Sequence, residues 1–282
     1  MNVITTLVNS SQSPTSSSFV VRCISWQSFP LPSRVSLDLA RIKLEFHPNS
    51  LSLSGSAKSS PFAYLLPQNH TAVIFFGLGP YVLFPGMDVS NSLTYTSLLL
   101  NPFTTALAYV EGKPSTEYFI NVTSIKMNGL TLPLNSFTKM STVNPYTVLE
   151  SSIFNTLSWA FLKVLPASIP RLGYIEPYEQ CFNSSYIGEN DVLSIDLVLQ
   201  SESVYWRLSR PNSMVQVKKD VVCLAFVDAG QSPIPRTSIV IGEHQLEENL
   251  LQFDLVNKKF GFSSALLSQK TSCSNFNFTS TA

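Results

Sequence analysis

The chain is 282 residues long, 44% hydrophobic and only 13% charged, with 18 basic and 18 acidic residues and a formal net charge of zero. That length buries a sizeable core, in one large domain or in two lobes, and so apolar a composition excludes disorder across the main body. The charge balance excludes the basic footprint of a nucleic-acid binder and a polybasic membrane patch.

Residues 1–18 are polar and serine-rich, and read as a loose segment. They carry no basic n-region and no continuous apolar stretch, so they do not read as a signal peptide. From Phe19 the pattern changes to short apolar runs punctuated by Pro, Ser, Asn and Gly, the mark of a mostly β protein. Residues 50–61 read as a flexible surface loop. The apolar run from Ala72 to Phe84 is too short to span a bilayer and is broken by Gly and Pro. It reads as a pair of core strands around a turn. Gly77 and Gly79 read as turn residues, because the rest of a dinucleotide fingerprint is missing.

Strands are expected near 71–77, 117–132, 193–200, 203–208, 213–217, 221–227, 238–242, 250–256 and 259–263, with Asn257 and Lys258 turning between the last two. One helix is strongly patterned, from Glu150 to Leu165. Ile153, Phe154, Leu157, Ala160, Phe161 and Val164 recur at helical spacing, and Pro166 ends it. A second short helix is expected from near His244 through Glu247, Glu248 and Asn249. Trp159 and Trp206 read as core residues, and Glu247 and Glu248 as part of a solvated face.

Chemistry-bearing residues are sparse. His47, His70 and His244 are scattered, so neither a metal site nor a cofactor site is expected. The four cysteines, Cys23, Cys181, Cys223 and Cys273, form no Cys-x-x-Cys and fit a secretory history without proving one. Asn9, Asn69, Asn121, Asn183 and Asn277 head Asn-x-Ser/Thr sequons, and the last four are candidate glycan acceptors. No Gly-x-Ser-x-Gly nucleophile elbow occurs.

The segment from Ile239 to Ser263 joins an apolar triplet, Gly242, a short helix, a Phe-Asp strand, a turn and a Gly-Phe strand. It resembles the end of pepsin-like aspartic proteases. Its wording QLEENLLQFDL, residues 245–255, looks like the branch of plant basic 7S globulins, cereal xylanase inhibitors and extracellular dermal glycoproteins. Glu117 to Lys126, Val204 to Leu208 with Asn212 to Val215, and Val222 to Asp228 agree with it. The resemblance implies an all-β, pepsin-like fold. Residues 101–282 would be a complete C-terminal lobe and 19–100 a remnant of the N-terminal lobe and interlobe region.

Each lobe of that family supplies an Asp-Thr/Ser-Gly turn. Two carboxylates are needed because they share one proton: the ionised one activates water and the protonated one polarises the scissile carbonyl. Matching Tyr146 to Leu149 with the apolar residues after the second turn puts Ser141, Thr142 and Val143 in the Asp-Thr-Gly place. Ser141 is a hydroxyl that does not ionise near neutral pH, and Val143 replaces the glycine. Asp228-Ala229-Gly230 is the sole Asp-x-Gly of the chain and reads as an exposed turn. No catalytic residue is therefore assigned. The resemblance also implies a Cys181–Cys223 disulfide. It puts Leu65 where Cys273 would find its partner, so Cys273 is left unpaired or rescued by Cys23.

The resemblance and the missing carboxylates together imply a catalytically inactive, extracellular or cell-wall plant protein whose partner is a microbial glycoside hydrolase or another cell-wall protein. The cereal inhibitors carry a histidine shortly before the last cysteine. Gln269 stands in that region here, which argues against xylanase as the target and leaves other glycoside hydrolases open. The alternatives are an aspartic endopeptidase, a storage or stress protein like the basic 7S globulins, and a non-functional fragment.

Overall fold

The structure is a computed structural model. It describes residues 79–84, 86–100, 117–188, 192, 194–230, 237–263, 266, 271 and 272, with the backbone of three further strands at 22–25, 62–65 and 71–76. Two compact units divide the chain, one from residues 1–98 and 247–282, the other from 99–246.

The first unit begins with β1 (Arg22–Ser25), β2 (Phe62–Leu65) and β3 (Thr71–Phe76), with β3 antiparallel to both of the others. Next come β4 (Val82–Phe84), β5 (Met87–Asp88) and β6 (Thr94–Ser97). The pairing expected within the 72–84 run does not form, because β4 pairs with β5 in a ribbon of its own. Gly79, at φ 104°, re-aims the chain between β3 and β4 in a conformation that side-chain-bearing residues avoid. The carboxylate of Asp88 closes the ribbon: one oxygen accepts from the Tyr81 amide (2.9 Å), the Ser90 amide (2.9 Å) and the Ser90 hydroxyl (2.6 Å). Burial pushes the Asp88 carboxyl up, but these hydrogen bonds outweigh it and hold the group below its usual range.

The second unit opens with β7 (Leu99–Leu100), which pairs with β8 (Tyr118–Met127). The strand expected at 117–132 is in fact a hairpin of β8 and β9 (Leu130–Met140). Asn128 and Gly129, both at positive φ (46° and 77°), make a turn whose twist matches that of the flanking strands. Then follow β10 (Thr147–Leu149), α1 (Ser151–Val164), β11 (Arg171–Ile175), β12 (Tyr178–Asn183), β13 (Ile195–Ser201) and β14 (Val204–Leu208). The unit finishes with α2 (Arg210–Ser213), β15 (Met214–Lys218), β16 (Val221–Leu224), β17 (Phe226–Asp228), β18 (Ile239–Ile241) and α3 (Glu243–Leu246). The main sheet runs β14-β13-β8-β9-β18-β10-β17, and a smaller one runs β11-β12-β16-β15.

Helix α1 sits as the spacing indicates, with Ile153, Phe154, Leu157, Ala160 and Phe161 buried. Trp159, expected in the core, is instead 53% exposed, with the Lys163 ammonium 3.8 Å from its ring centre. Two residues past Leu157 lies about 200° around the helix, on the solvent side, so periodicity outweighs residue type here. Trp206 is fully buried in β14. Beside it, Arg207 donates to both oxygens of Asp196 at 2.7 Å across the β13–β14 pair, which raises the guanidinium's basicity further.

A disulfide joins Cys181 to Cys223, which face each other across β12 and β16. Tyr178 and Val221 pack around it, with Tyr146 leaning on the same cluster. Helix α3 ends at Leu246 rather than running through Asn249. Glu248 adopts φ 54°, which breaks a right-handed helix. Glu248 is also buried, at 4% exposure, and not on a solvated face, because its carbonyl accepts from the Leu266 amide (2.7 Å) and draws the residue inward.

The chain then returns to the first unit as β19 (Leu250–Asp254) and β20 (Lys259–Phe262), completing a sheet in the order β1-β3-β2-β19-β20-β6. The β19–β20 hairpin turns at Asn257 and Lys258 as expected. The Asp254 carboxylate receives the Asn257 amide (2.9 Å) and its side-chain amide (2.7 Å). Leu251, Phe253, Phe260 and Phe262 form the core on this side.

Among these apolar residues Gln252 is buried and donates to the Tyr81 hydroxyl at 2.6 Å. Burial pushes the Tyr81 phenol up to about 12, although the hydrogen bond from Gln252 opposes it. The folded state therefore favours the neutral phenol. Its contribution to stability is complete below the ordinary tyrosine value near ~10 and is lost as pH rises through the folded value. Tyr81→Phe strands the Gln252 amide and is expected to cost about 1–3 kcal/mol at neutral pH. Urea melts between neutral and strongly alkaline pH should show that cost together with a shallower alkaline decline. Equal alkaline slopes for both proteins would exclude the assignment.

Candidate functional site

The turn after β9 is where the fold concentrates its unusual contacts. Strand β18 runs parallel to β9 on one side and antiparallel to β10 on the other. The segment from Ser141 to Tyr146 must therefore pass over the end of β18 to connect them. Backbone bonds fasten it there. The Ser141 amide donates to the Ile241 carbonyl (2.9 Å), the Glu243 amide to the Asn144 carbonyl (2.7 Å), and the His244 amide to the Pro145 carbonyl (3.0 Å). Gly242 makes this approach possible: a Cβ added to it would lie 2.2 Å from the Tyr146 carbonyl carbon.

Beneath the turn lies a buried polar hub. The Gln245 carbonyl oxygen accepts from both the amide (2.9 Å) and the hydroxyl (2.8 Å) of Thr147, whose hydroxyl oxygen in turn accepts from the Gly242 amide (3.1 Å). The Gln245 side-chain nitrogen donates to the carbonyls of Asn212 (3.0 Å) and Ala225 (2.8 Å). Gln245 thus satisfies all four of its hydrogen-bonding positions while fully buried. The linear reading missed this residue. A lone glutamine in a four-residue helix carries no local signal, and its partners lie 20 to 98 positions away.

Ser141 and Thr142 are buried, while Val143 is 54% exposed. The Ser141 hydroxyl donates to the Asn144 side-chain oxygen (2.8 Å) and accepts from the amides of Val143 and Asn144 (3.2 Å each). Its proton and lone pairs are committed within its own loop, and no residue from Lys139 to Leu149 carries a carboxylate. Thr142 Oγ1 has no hydrogen-bond partner among the described residues. Such a turn holds backbone geometry but supplies neither an ionisable acid nor an activated nucleophile.

The other sequence candidates are dispersed. Asp228 is half-buried at the end of β17, where one oxygen accepts from the Gly230 amide (3.0 Å) and the Ser151 hydroxyl (2.6 Å), so it closes a turn and ties down the start of α1. The His244 ring bonds to the Met214 carbonyl (2.9 Å) and stands edge-on to Tyr146. Among the described residues no three His, Cys, Asp or Glu are placed to share a metal ion, and no helix is long and apolar enough to cross a membrane. Asn121 lies in β8 opposite Phe137, and Asn183 ends β12. Asn69, Asn277, Gln269, Cys273, the side chain of Cys23, and segments 1–18 and 50–61 lie outside the described residues.

Comparison with known proteins agrees with this architecture. The family model described as "Xylanase inhibitor C-terminal" matches residues 117–264. The chain is 47% identical over 230 residues to a "Probable aspartic proteinase GIP2" of Nicotiana benthamiana, covering 76% of this chain and 52% of that protein. It is 33% identical over 222 residues to the "Basic 7S globulin" of Glycine max, covering 73% and 48% respectively. Among solved structures, that of edgp superposes with a TM-score of 0.72 at 47% identity, covering 78% of this chain and 57% of that one. Conglutin gamma from lupine seeds superposes at 0.65 and 31% identity, covering 77% and 54%. The chain spans about half the length of the curated relatives it matches. Over the matched part its mostly β architecture is the pepsin-like fold of those structures. With its second unit lying almost wholly inside the match, the chain belongs to the xylanase inhibitor C-terminal family.

Proposed function

We propose that this chain is part of a secreted plant protein that has lost the protease chemistry of its fold and acts by binding, as an inhibitor of microbial cell-wall-degrading glycoside hydrolases. The observation that carries this reading is the turn of Ser141, Thr142 and Val143, read as a degenerate active-site turn. At the position we read as the second active-site turn there is no carboxylate but a serine hydroxyl, which bonds to Asn144 and two amides. The family description supports a glycoside hydrolase as the class of partner. Residues 101–282 are read as the C-terminal lobe and 19–100 as a remnant of the N-terminal lobe and interlobe region.

The test is to titrate the secreted protein into fungal endoglucanases and xylanases and follow both residual activity and complex formation. Stoichiometric loss of activity in at least one endoglucanase is expected. Full activity throughout, with no complex detected, would sink the proposal. The names of two relatives as probable aspartic proteinases favour a second reading, endopeptidase activity. Cleavage of denatured haemoglobin at acid pH, blocked by pepstatin, would establish it. No cleavage is expected, since the mechanism needs two facing carboxylates and the turn at 141–143 supplies none.

A further inference from the structure

We infer that Asn183 is an N-glycan acceptor, and that Asn121, which heads an equally good sequon, is not. Both satisfy the same three-residue rule, so sequence alone does not separate them. Their backbones do.

Asn183-Ser184-Ser185 leaves the end of β12 and folds into a tight turn. The Asn183 side-chain oxygen accepts from the Ser185 amide at 3.0 Å. This asparagine turn engages the amide oxygen with the backbone two residues on. The Asn183 backbone amide donates to the Pro170 carbonyl (3.2 Å), while among the described residues its side-chain nitrogen has no acceptor, so it is the side-chain nitrogen that is left available. Ser185 and its neighbour Tyr186 are exposed, Tyr186 by 59%. The site is therefore a surface turn with an available side-chain nitrogen and an exposed hydroxyl residue.

Asn121 is the fourth residue of the ten-residue strand β8, paired directly with Phe137 of β9. The single proton of the Thr123 hydroxyl is already spent inside the sheet, donated to the Leu199 carbonyl (2.8 Å), with the Val198 carbonyl 3.2 Å away. Residues 121–123 are extended strand, without the asparagine turn that forms at 183–185.

The modification is a substitution at the sugar. The Asn183 nitrogen attacks C1 of a lipid-diphosphate-linked oligosaccharide and forms a new N–C1 bond. The C1–O bond to the diphosphate breaks with its electron pair staying on the lipid diphosphate, and the nitrogen releases one proton. No electrons are exchanged with an outside agent. The inference rests on the proposed secretory route but not on the inhibitor reading.

Expressing the chain behind a secretion leader in insect cells supplies the route, so failure at the site is separable from failure of the route or of inhibition. Site-resolved mass spectrometry of the secreted, disulfide-bonded protein should find Asn183 glycosylated and Asn121 bare. Asn183→Gln and, separately, Ser185→Ala should each remove one glycan step in gel mobility. Asn121→Gln should remove none. Ser185→Ala keeps Asn183 itself, so its loss of the step is not a folding defect of the asparagine variant. A bare Asn183 in secreted protein, or a glycan on Asn121, overturns the inference.

Discussion

Alanine at position 242 is expected to cost about 3 kcal/mol or more in the unit formed by residues 99–246, among the heaviest losses available from a single methyl group. The reason is steric and lies entirely in backbone. The new Cβ would stand 2.2 Å from the carbonyl carbon and 2.3 Å from the carbonyl oxygen of Tyr146, and neither is the end of a flexible side chain. Relief requires the 141–146 segment to lift away. Lifting it breaks the bonds from Glu243 and His244 to Asn144 and Pro145, and opens the Thr147–Gln245 hub to water. Gly230→Ala is the matched control. It puts a methyl into open space at φ 65°, so it carries only the left-handed backbone cost of about 1 kcal/mol. Urea melts of the two variants decide the matter: equal losses would show that the turn yields easily and that the close approach at Gly242 is not what fixes it.

Removing the disulfide by Cys181→Ala with Cys223→Ala is expected to cost about 4 kcal/mol. The bond closes a loop spanning 42 positions, and without it the unfolded chain regains the corresponding freedom. The loss should not be spread evenly. Tyr178, Val221 and Tyr146 pack on the two sulfur-bearing residues, with the Tyr146 and Tyr178 rings 4.9 Å apart and edge-on. Loosening the smaller sheet therefore loosens the residue that anchors the turn over Gly242. Hydrogen exchange should accelerate in 171–183 and in 144–147, while the β8–β9 hairpin keeps its protection. Acceleration confined to the immediate vicinity of the two alanines would disprove the link between the disulfide and the turn.

Short-range causes are legible in the linear chain. Helix α1 announces itself by spacing and by Pro166, and the β19–β20 hairpin by its turn residues. The β11–β12 hairpin carries no such mark. Four of the five residues of β11 are exposed and its register shifts twice against β12, so no alternation of apolar and polar side chains marks it. Strand β10, only three residues long, exists because β18 and β17 flank it, which no local pattern records. The candidate site divides in the same way. Ser141 is legible only through a resemblance spread over long stretches. Gly242 stood out as a letter but not as a steric necessity, and Gln245 stayed invisible until its distant partners were in place.

The sheet of the first unit is stitched from distant parts of the chain, since β2 at Phe62–Leu65 pairs with β19 at Leu250–Asp254. A ribosome translating this message releases residues 99–246 as an uninterrupted block that has every strand of its own sheets to hand. The earlier strands must wait, edges unsatisfied, until nearly two hundred further residues have been made. Chaperone demand during synthesis should therefore fall on the opening third of the polypeptide, and a stalled or shortened transcript lacking β19 and β20 would leave that third as the aggregating part.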